Sequence, residues 1–235
     1  MKIALLGYGK MGKVIERIAL ERGHIIVLRK DEFNTFDGLE TADVAIDFSA
    51  PSSAVDNIST AINLGVPVIS GTTGWLENYH EIVKLCNNKN AAFLYGSNFS
   101  LGVNLFFELN DYLAKLMSKF KDYNVSMEEI HHTQKLDKPS GTAISLANAI
   151  INHTDKNNWA IENPKKDDLN IDVKRIDDVP GTHTITYNSE VDFIEIKHVA
   201  HNREGFALGA IIAAEWIIGK KGVFSMKDVL DLNSK

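Results

Sequence analysis

A glycine-rich loop near the amino terminus constrains the fold of this 235-residue chain more than any other feature. An apolar run at residues 2–6 leads into GYGKMG, where Gly7, Gly9 and Gly12 satisfy the pattern G-x-G-x-x-G. The first glycine permits a tight turn, the second lets a pyrophosphate approach the backbone, and the third lets a helix pack closely on a strand. The motif therefore predicts a dinucleotide-binding strand–loop–helix unit, with a ligand-free glycine turn as the alternative.

Short apolar runs alternate with helix-period segments through the first hundred residues. The predicted strands are 2–6, 25–28, 43–48, 66–70 and 91–95, and the predicted helices are 10–21, 52–64 and 76–87. The strands are apolar throughout, which is typical of strands covered by helices on both faces. This pattern predicts an α/β domain with a Rossmann-type parallel sheet and right-handed crossovers.

The second half of the chain follows a different pattern. An amphipathic segment at 101–120 precedes predicted strands at 125–132, 172–176, 182–187 and 192–199, with predicted helices at 142–152, 206–218 and 225–232. The last two strands alternate apolar and polar residues, as a half-exposed antiparallel pair does. The change near residue 100 predicts a domain boundary and a second, α+β domain with an open mixed sheet.

Charge and cysteine content limit the possible partners. The 25 Lys and Arg residues against 31 Asp and Glu residues give a net charge of −6, which disfavours nucleic acid and anionic membranes. No apolar run approaches the roughly 18 residues of a transmembrane helix. Cys86 is the single cysteine, so an internal disulfide and a cysteine zinc cluster are both excluded. We expect a protein of the reducing cytoplasm.

The end of the second predicted strand reads LRKDE, where a dinucleotide-binding unit distinguishes between its two cofactors. Arg29 and Lys30 could accommodate the 2′-phosphate of NADPH, whereas Asp31 or Glu32 could hold the ribose 2′-hydroxyl of NADH. Simple solvation of these charges is a third interpretation. The order of the residues favours NADPH and leaves NADH open.

Two further loops follow predicted strands of the parallel sheet. Gly71, Thr72 and Thr73 come after VPVIS, and Gly96, Ser97, Asn98 and Phe99 come after AAFLY. Ligands of open α/β sheets bind at the carboxyl ends of the strands. Each loop alone would be an ordinary turn, but their common edge with GYGKMG favours contacts to a nicotinamide and its ribose.

The segment EEIHHTQKLDKPSGTA, residues 128–143, carries the densest chemistry. His131 and His132 end an extended segment and should point to opposite sides. One could donate a proton while the other binds substrate. Ser140 or Thr142 could cap the following helix, whose amino terminus would suit a carboxylate.

Several histidines in the second half allow a structural or metal-binding interpretation instead. A histidine pair at a strand end is often a hydrogen-bonded structural feature. No cysteine or well-spaced acid joins His131 and His132, so no metal site is predicted. We interpret His198, His201 and Arg203 as polar residues at a strand end.

Six motifs, GYGKMG, DVAIDFSAP, SGTTGW, SNFSLGVN, EEIHHTQKLDKPSGTA and GVFSMKDVL, occur in one order from residue 2 to about 232. In this order the chain resembles the bacterial dihydrodipicolinate reductases, for which HHxxKxDxPSGT is a signature. The resemblance implies reduction of 4-hydroxy-tetrahydrodipicolinate with NADPH or NADH in the diaminopimelate route to lysine. It further implies a small dicarboxylate substrate and a homotetramer built through the sheet of the second domain.

The resemblance also implies roles for individual residues. His131 and Lys135 would be catalytic, and substrate would be bound by His132, Ser140, Gly141 and Thr142. The cofactor-binding set, which includes the two basic residues considered above, is Gly7, Tyr8, Gly9, Lys10, Met11, Gly12, Arg29, Lys30, Gly71, Thr72, Thr73, Gly96, Ser97, Asn98 and Phe99.

The family's last helices return to the cofactor domain. We therefore expect a dinucleotide-binding domain of residues 1–100 and 209–235 and a substrate-binding and tetramerisation domain of residues 101–208. The chain departs from the family pattern in two places. Residues 30–42, on the adenosine side, form a shorter segment than is common, and Lys138 replaces a small residue beside the expected carboxylate site.

Overall fold

The computed structural model describes residues 1–202 and 204–232. They form two compact units, the first from residues 1–101 and the segment that begins at 204, the second from residues 102–202. The return to the first unit thus begins at residue 204, whereas the sequence predicts it at 209. Arg203 lies outside the described residues.

The first unit contains a six-stranded sheet with the order β11-β5-β4-β3-β1-β2, in which every neighbouring pair is parallel. Its strands are β1 (Lys2–Leu6), β2 (Ile25–Lys30), β3 (Val44–Asp47), β4 (Val68–Ser70), β5 (Ala92–Tyr95) and β11 (Gly222–Phe224). Its helices are α1 (Lys10–Glu21), α2 (Pro51–Asn63), α3 (Tyr79–Asn88), α6 (Glu204–Ile217) and α7 (Met226–Val229). The predicted Rossmann-type parallel sheet is confirmed.

The central strand β1 shows why its sequence is apolar throughout. Ile3 and Leu5 belong to a core with residues of α1 and α6, whereas Ala4 and Leu6 belong to a core with residues of α2 and α3. Successive side chains of a strand point to opposite faces. Both faces of β1 are covered by helices, so each position must be apolar.

The second unit contains a five-stranded sheet with the order β10-β9-β6-β8-β7. Its strands are β6 (Asn124–His131), β7 (Asn158–Ala160), β8 (Asp168–Arg175), β9 (Gly181–Asn188) and β10 (Phe193–Ala200). β8 pairs in parallel with β6 and β7, while β9 pairs antiparallel with β6 and β10. The expected open mixed sheet is confirmed. Residues of α4 (Leu101–Met117) and α5 (Gly141–His153) share a buried core with this sheet.

The sequence pattern does not predict two short strands, β7 and β11. Each has three residues, too few to show a period, and each exists through pairing with a neighbour, β7 with β8 and β11 with β5. β8 also starts at Asp168 rather than at the predicted residue 172. Among the described residues, no helix is long and apolar enough to cross a membrane.

Helix α6 lies so close to the loop after β5 that one of its positions excludes any side chain. A Cβ atom on Gly209 would lie 1.7 Å from the carbonyl oxygen of Phe99, whereas one on Gly205 would find Ser100 Oγ at an ordinary 3.5 Å. We expect Gly209→Ala to lower the free energy of unfolding by about 3 kcal/mol, because backbone must move to accept the methyl group. Urea denaturation measures the loss.

The matched control is Gly205→Ala in the same helix. It should leave stability within about 1 kcal/mol of the original, in the stabilising direction, because alanine favours helix. Equal effects of the two substitutions would contradict the close approach.

Candidate active site

The carboxyl ends of β1, β3, β4 and β5 lie at one edge of the parallel sheet, so the loops that follow them meet there. A cleft of about 460 Å³ opens at this edge. It is lined by residues 7–9 of the glycine loop, residues 30–33 after β2, and residues around the start of α2. The cleft therefore lies where the chain order of the strands reverses, between β1 and β3, the usual ligand position of such sheets.

The three glycines of the loop have different roles in the structure. Gly7 has a φ of +108°, and a Cβ there would lie 2.2 Å from the carbonyl oxygen of Phe48. A Cβ on Gly12 would lie 2.4 Å from the carbonyl oxygen of Gly7. The fold itself requires these two glycines. Gly9 has no atom within 4 Å of its Cβ position, and it precedes α1 without a side-chain cap. An open backbone cradle at an uncapped helix start fits the pyrophosphate of a dinucleotide.

The two basic residues at the end of β2 are held differently. The Arg29 guanidinium donates to Glu16, with 2.7 Å from its Nε to Oε1, and the Tyr8 hydroxyl donates to the same carboxylate. These hydrogen bonds lower the pKa of Glu16. Lys30 instead lines the cleft, with its Nζ 4.7 Å from the centre of the Phe36 ring. Of these two basic residues, Lys30 is thus the one that lines the cleft.

A fully buried carboxylate, Asp47, ties together the loops after β3 and β4. Its oxygens accept hydrogen bonds from three hydroxyl groups and one amide, those of Ser49 (2.6 Å), Ser70 (2.7 Å), Thr72 (2.8 Å) and Asn57 (3.0 Å). Burial raises the pKa of Asp47, and the four hydrogen bonds act in the opposite direction. A buried carboxyl group needs such partners, so this network holds both loops in place.

Thr72 is committed to that network. Its hydroxyl accepts from the Ser49 N–H at 2.8 Å, which leaves the hydroxyl proton for Asp47, and its carbonyl accepts from Trp75 Nε1 at 2.7 Å. Phe99 is similarly internal, since its ring is 1% exposed and packs 5.6 Å from the Phe48 ring. Both predicted cofactor residues have side chains that support the loops.

The other predicted cofactor residues are distributed around the same loops. Lys10, Thr73 and Ser97 are exposed, and Met11 is partly buried against the core. Gly71 lies against the Phe48 ring, where a Cβ would come within 2.3 Å. Gly96 lies beside Phe99, and Asn98 Oδ1 accepts from the Ser100 N–H at 2.9 Å.

Strand pairing in the second unit assembles a charged cluster at the end of β6. Glu129 and His131 are two residues apart on β6, so both point to one face of the sheet. Arg175 on β8 pairs with His131, and His183 on β9 pairs with Glu129. Sheet register thus places one carboxylate, one guanidinium and two imidazoles together.

Glu129, with no exposed surface, is at the centre of this cluster. Its two oxygens accept from the Ser140 N–H at 3.2 and 3.0 Å, and Oε1 accepts from Arg175 at 3.1 Å. Nδ1 of His131 lies 3.6 Å and Nε2 of His183 lies 3.7 Å from Oε2. One carboxylate therefore contacts the start of α5 and both neighbouring strands.

The pKa values follow from burial and from these neighbours. Burial raises the pKa of Glu129, but hydrogen bonds from Ser140, the charge of His131 and the Arg175 guanidinium together hold it below its usual value. Burial lowers the pKa of His131, as do the charges of Lys135 and Arg175, while Glu129 opposes them. Burial, together with the charge of His131, lowers the pKa of His183 to about 4. At neutral pH the His183 ring is therefore uncharged in the free protein.

Helix α5 begins directly beside this cluster. Ser140 caps it, since the hydroxyl accepts from the Ala143 N–H at 3.1 Å and also contacts His183 Nε2 at 3.2 Å. Ser140 is 3% exposed, so its side chain faces inward. Gly141 is exposed, and no atom lies within 4 Å of its Cβ position. The first backbone N–H groups of a helix have no partner within it, so the N–H groups of Gly141 and Thr142 could bind an anion.

The loop between β6 and α5 carries the predicted lysine. Lys135 Nζ donates to Asp137 at 2.8 Å, and Arg175 donates to the carbonyl oxygens of Lys135 (3.2 Å) and Asp137 (2.5 Å). His132 lines a separate cleft of about 410 Å³ with residues 133–134 and 177–180. His131 and His132 thus face different surroundings.

Glu129, His131 and His183 offer ligand atoms that all lie within 4.8 Å of one another, a spacing that a metal ion could use. The carboxylate already accepts hydrogen bonds from Arg175 and Ser140. A guanidinium bound to a carboxylate disfavours a second cation there. We interpret the cluster as a hydrogen-bonded network.

Sequence reasoning missed the two buried carboxylates, Asp47 and Glu129, the three partners Ser49, Asn57 and Ser70 of Asp47, and the two partners Arg175 and His183 of Glu129. Glu129 had an available signal, because a residue two positions before His131 in an extended strand must share its face. Asp47 had a weaker one, as a carboxylate at the end of an otherwise apolar strand. Arg175 and His183 depend on strand register, which the sequence pattern does not contain.

The parallel sheet with its glycine loop, and a second sheet that carries a histidine and lysine cluster, define the class as a two-domain oxidoreductase with a Rossmann-type nucleotide fold. Family models described as dihydrodipicolinate reductase, N-terminus and C-terminus, match residues 23–99 and 102–230. The chain belongs to the dihydrodipicolinate reductase family, and the resemblance predicted from the motifs is confirmed.

Two relatives agree with this membership, and two solved structures have a similar fold. The chain is 52% identical to the 4-hydroxy-tetrahydrodipicolinate reductase of Christiangramia forsetii over 98% of both chains, and 36% identical to that of Thermosipho africanus over 98% of both chains. Its fold is similar to a dipicolinate-bound dihydrodipicolinate reductase from Paenisporosarcina sp. TG-14, with a TM-score of 0.74, 21% identity, and 96% and 97% of the two chains covered. A probable dehydrogenase from Thermotoga maritima has a TM-score of 0.59 at 10% identity, over 97% and 92% of the two chains.

The Asp47 network leads to a prediction about Thr72. Thr72→Val removes the hydroxyl that joins the Ser49 N–H to Asp47. The Ser49 N–H then has no acceptor and the buried Asp47 loses one of its four donors, so the free energy of unfolding should fall by about 1–3 kcal/mol. Thr72→Ser, which keeps the hydroxyl, should lose much less. Thermal denaturation compares the two variants, and equal losses would show that the methyl group, rather than the hydrogen bonds, stabilises the loop.

Proposed function

We propose that this chain catalyses the NADPH- or NADH-dependent reduction of 4-hydroxy-tetrahydrodipicolinate to tetrahydrodipicolinate, a step of the diaminopimelate route to lysine. The observation that carries the proposal is the 52% identity, over 98% of the chain, with a relative of that name. The clustering of His131, Lys135 and the start of α5 in one unit supports it independently.

The first unit would hold the dinucleotide. The cradle at Gly9 and the start of α1 fit its pyrophosphate, and Lys30 lies where a 2′-phosphate would be recognised. The backbone of the loops after β4 and β5 would face the nicotinamide, because the side chains of Thr72 and Phe99 point inward. When bound, the nicotinamide supplies the hydride.

The second unit would bind the dicarboxylate. The Gly141 and Thr142 N–H groups at the start of α5 suit one carboxylate, and the Lys135 ammonium attracts the dianion. The Paenisporosarcina reductase was solved with dipicolinate, a compound of this charge class. His132 would contact the substrate from its own cleft, while Ser140 holds the helix start in place.

His131 would supply the proton. Burial and neighbouring cations hold its pKa low in the free protein. A bound dianion raises that pKa, because it favours the charged imidazolium. Substrate binding would therefore load His131 with the proton that it delivers.

A homotetramer in the cytoplasm completes the proposal. The edge strand β10 and the turn before it expose Val191, Phe193 and Val199, with 86%, 64% and 46% of their surfaces accessible. Exposed apolar residues on a sheet edge favour burial against another chain. Light scattering of the purified protein measures the assembly directly.

A coupled assay tests the function. Aspartate semialdehyde, pyruvate and the preceding synthase generate the substrate, and the fall in NADPH absorbance then measures reduction. Consumption that requires all components supports the proposal. A protein that binds NADPH without consuming it would instead be a sensor.

The catalytic assignments predict a specific loss. His131→Ala should lower kcat by about 10²–10⁴-fold, the usual contribution of a general acid. Lys135→Ala should also lower kcat/KM strongly, because it removes a cation beside the dianion. The exposed residues His80 and Lys119 provide controls as alanine variants that keep normal kinetics. Near-normal turnover in both site variants would refute the assignment, provided that NADPH binding shows them to be folded.

The different environments of Arg29 and Lys30 predict different effects on cofactor choice. Lys30→Ala should raise KM for NADPH about tenfold, the loss of one charge-assisted hydrogen bond, and change KM for NADH little. Arg29→Ala should have the smaller effect, because Glu16 already holds the guanidinium. Steady-state kinetics with both cofactors decide the matter, and a larger NADPH defect in the Arg29 variant would reverse the assignment.

A further inference from the structure

We propose that Glu129 is the positioning residue of the second unit: its buried carboxylate aligns the His131 ring and favours its protonated form, so that Glu129 acts on the reaction through His131. The inference rests on the proposed function. It adds a residue whose role is separate from substrate contact, since Glu129 is fully buried.

Three neighbours fix the His131 ring. Its Nδ1 lies 3.6 Å from Oε2 of Glu129, and the His183 ring packs edge-on with 5.1 Å between the ring centres. Gly181 leaves room for the ring, because a Cβ there would lie 3.1 Å from Nε2. The carboxylate thus lies beside Nδ1 of the ring, and Nε2 remains for a proton transfer.

Nδ1 of His131 is buried, and within the part of the chain that the structure describes it has no hydrogen bond. An imidazolium carries a proton on both nitrogens. When His131 becomes protonated, a small approach to Oε2 pairs its Nδ1–H with the carboxylate. Glu129 would therefore stabilise the charged ring in the manner of the acidic member of a catalytic triad.

The charged groups around His131 act in opposite directions on the protonation of its ring. Glu129 on the same strand and Asp137 on the loop favour the imidazolium, whereas Arg175 on β8 and Lys135 on the loop oppose it. His183 on β9 is uncharged at neutral pH, since its pKa is about 4. Glu129 is the buried member of the favourable pair, so its removal should have the larger effect.

The same carboxylate also orders the loop that carries Lys135. Ser140 at one end of the loop donates to Glu129, and Arg175 connects Glu129 to the carbonyl oxygens of Lys135 and Asp137. If Glu129 had only a structural role, ordering this loop would be its whole effect. The proposal requires an electrostatic effect on His131 as well.

Two substitutions separate these roles because they move the charge in opposite directions. Glu129→Gln removes the negative charge at nearly constant size, and Arg175→Gln removes the positive charge bound to the same carboxylate. Proton NMR titration of His131 in the full-length chain with NADPH bound measures its pKa, with His131→Gln to assign the resonance. The pH profile of kcat/KM provides the kinetic counterpart.

The expected shifts have definite signs. Glu129→Gln should lower the His131 pKa by about one unit or more, as loss of a charge within 4–6 Å does. The activity limb that falls as His131 deprotonates should move to lower pH, and kcat at neutral pH should drop about tenfold while the Kd of NADPH stays constant. Arg175→Gln should raise the His131 pKa and move that limb to higher pH.

An unchanged His131 pKa in Glu129→Gln, or shifts of the same sign in both variants, would overturn the proposal. If Glu129→Gln does not fold, Arg175→Gln alone decides, since a pKa that fails to rise refutes it. Loss of activity with a chelator and its recovery with Zn²⁺ would also overturn it, in favour of a metal site. The NMR shifts are independent of turnover, so an inactive wild type with the expected shifts would refute the proposed function alone.

Discussion

The candidate site of the second unit depends on the hydrogen bonds that the buried carboxylate of Glu129 accepts. Moving a carboxylate from water into a protein interior costs several kcal/mol of free energy unless hydrogen-bond donors surround it. Here the donors come from the start of α5 and from β8, with imidazole rings of β6 and β9 beside them. Pairing the charge of Glu129 with these donors therefore fixes the register of the strands, the path of the loop between β6 and α5, and the start of α5.

Asp47 meets the same constraint in the first unit. Four donors surround it, from the loops after β3 and β4, from the last residue of β4 and from α2, at the edge where the glycine loop opens into its cleft. In each unit one polar side chain that the sequence predicts as a ligand contact, Thr72 in the first and Ser140 in the second, forms hydrogen bonds within the fold instead. Under the proposed function, backbone N–H groups together with Lys30 and Lys135 would bind the ligands, which suits the binding of phosphates and carboxylates by preformed sites.

The amino-acid sequence was sufficient for the parallel sheet and for the family. Apolar strands such as β1 and a glycine loop between strand and helix are local patterns, and Gly7 and Gly12 are required by contacts that any such turn makes. The short strands β7 and β11 could not be predicted, because three residues are too few to show a period and each strand forms through pairing with a neighbour. The candidate site also has a part that the sequence predicts and a part that it does not. The segment from His131 to Thr142 is contiguous, whereas Arg175 and His183 join it through the register of the sheet. Arg29 illustrates a further limit, since nothing local shows that Glu16 binds it.

In the folded protein Glu129 remains ionised and holds its neighbours by charge. Infrared difference spectra between the original chain and Glu129→Gln, recorded from acidic to neutral pH, measure this ionisation through the carboxylate stretching bands. We expect an ionised carboxylate at neutral pH that persists below the usual titration range of glutamate. A carbonyl band of a protonated Glu129 at neutral pH would show instead that the carboxyl group is neutral and does not hold its neighbours by charge.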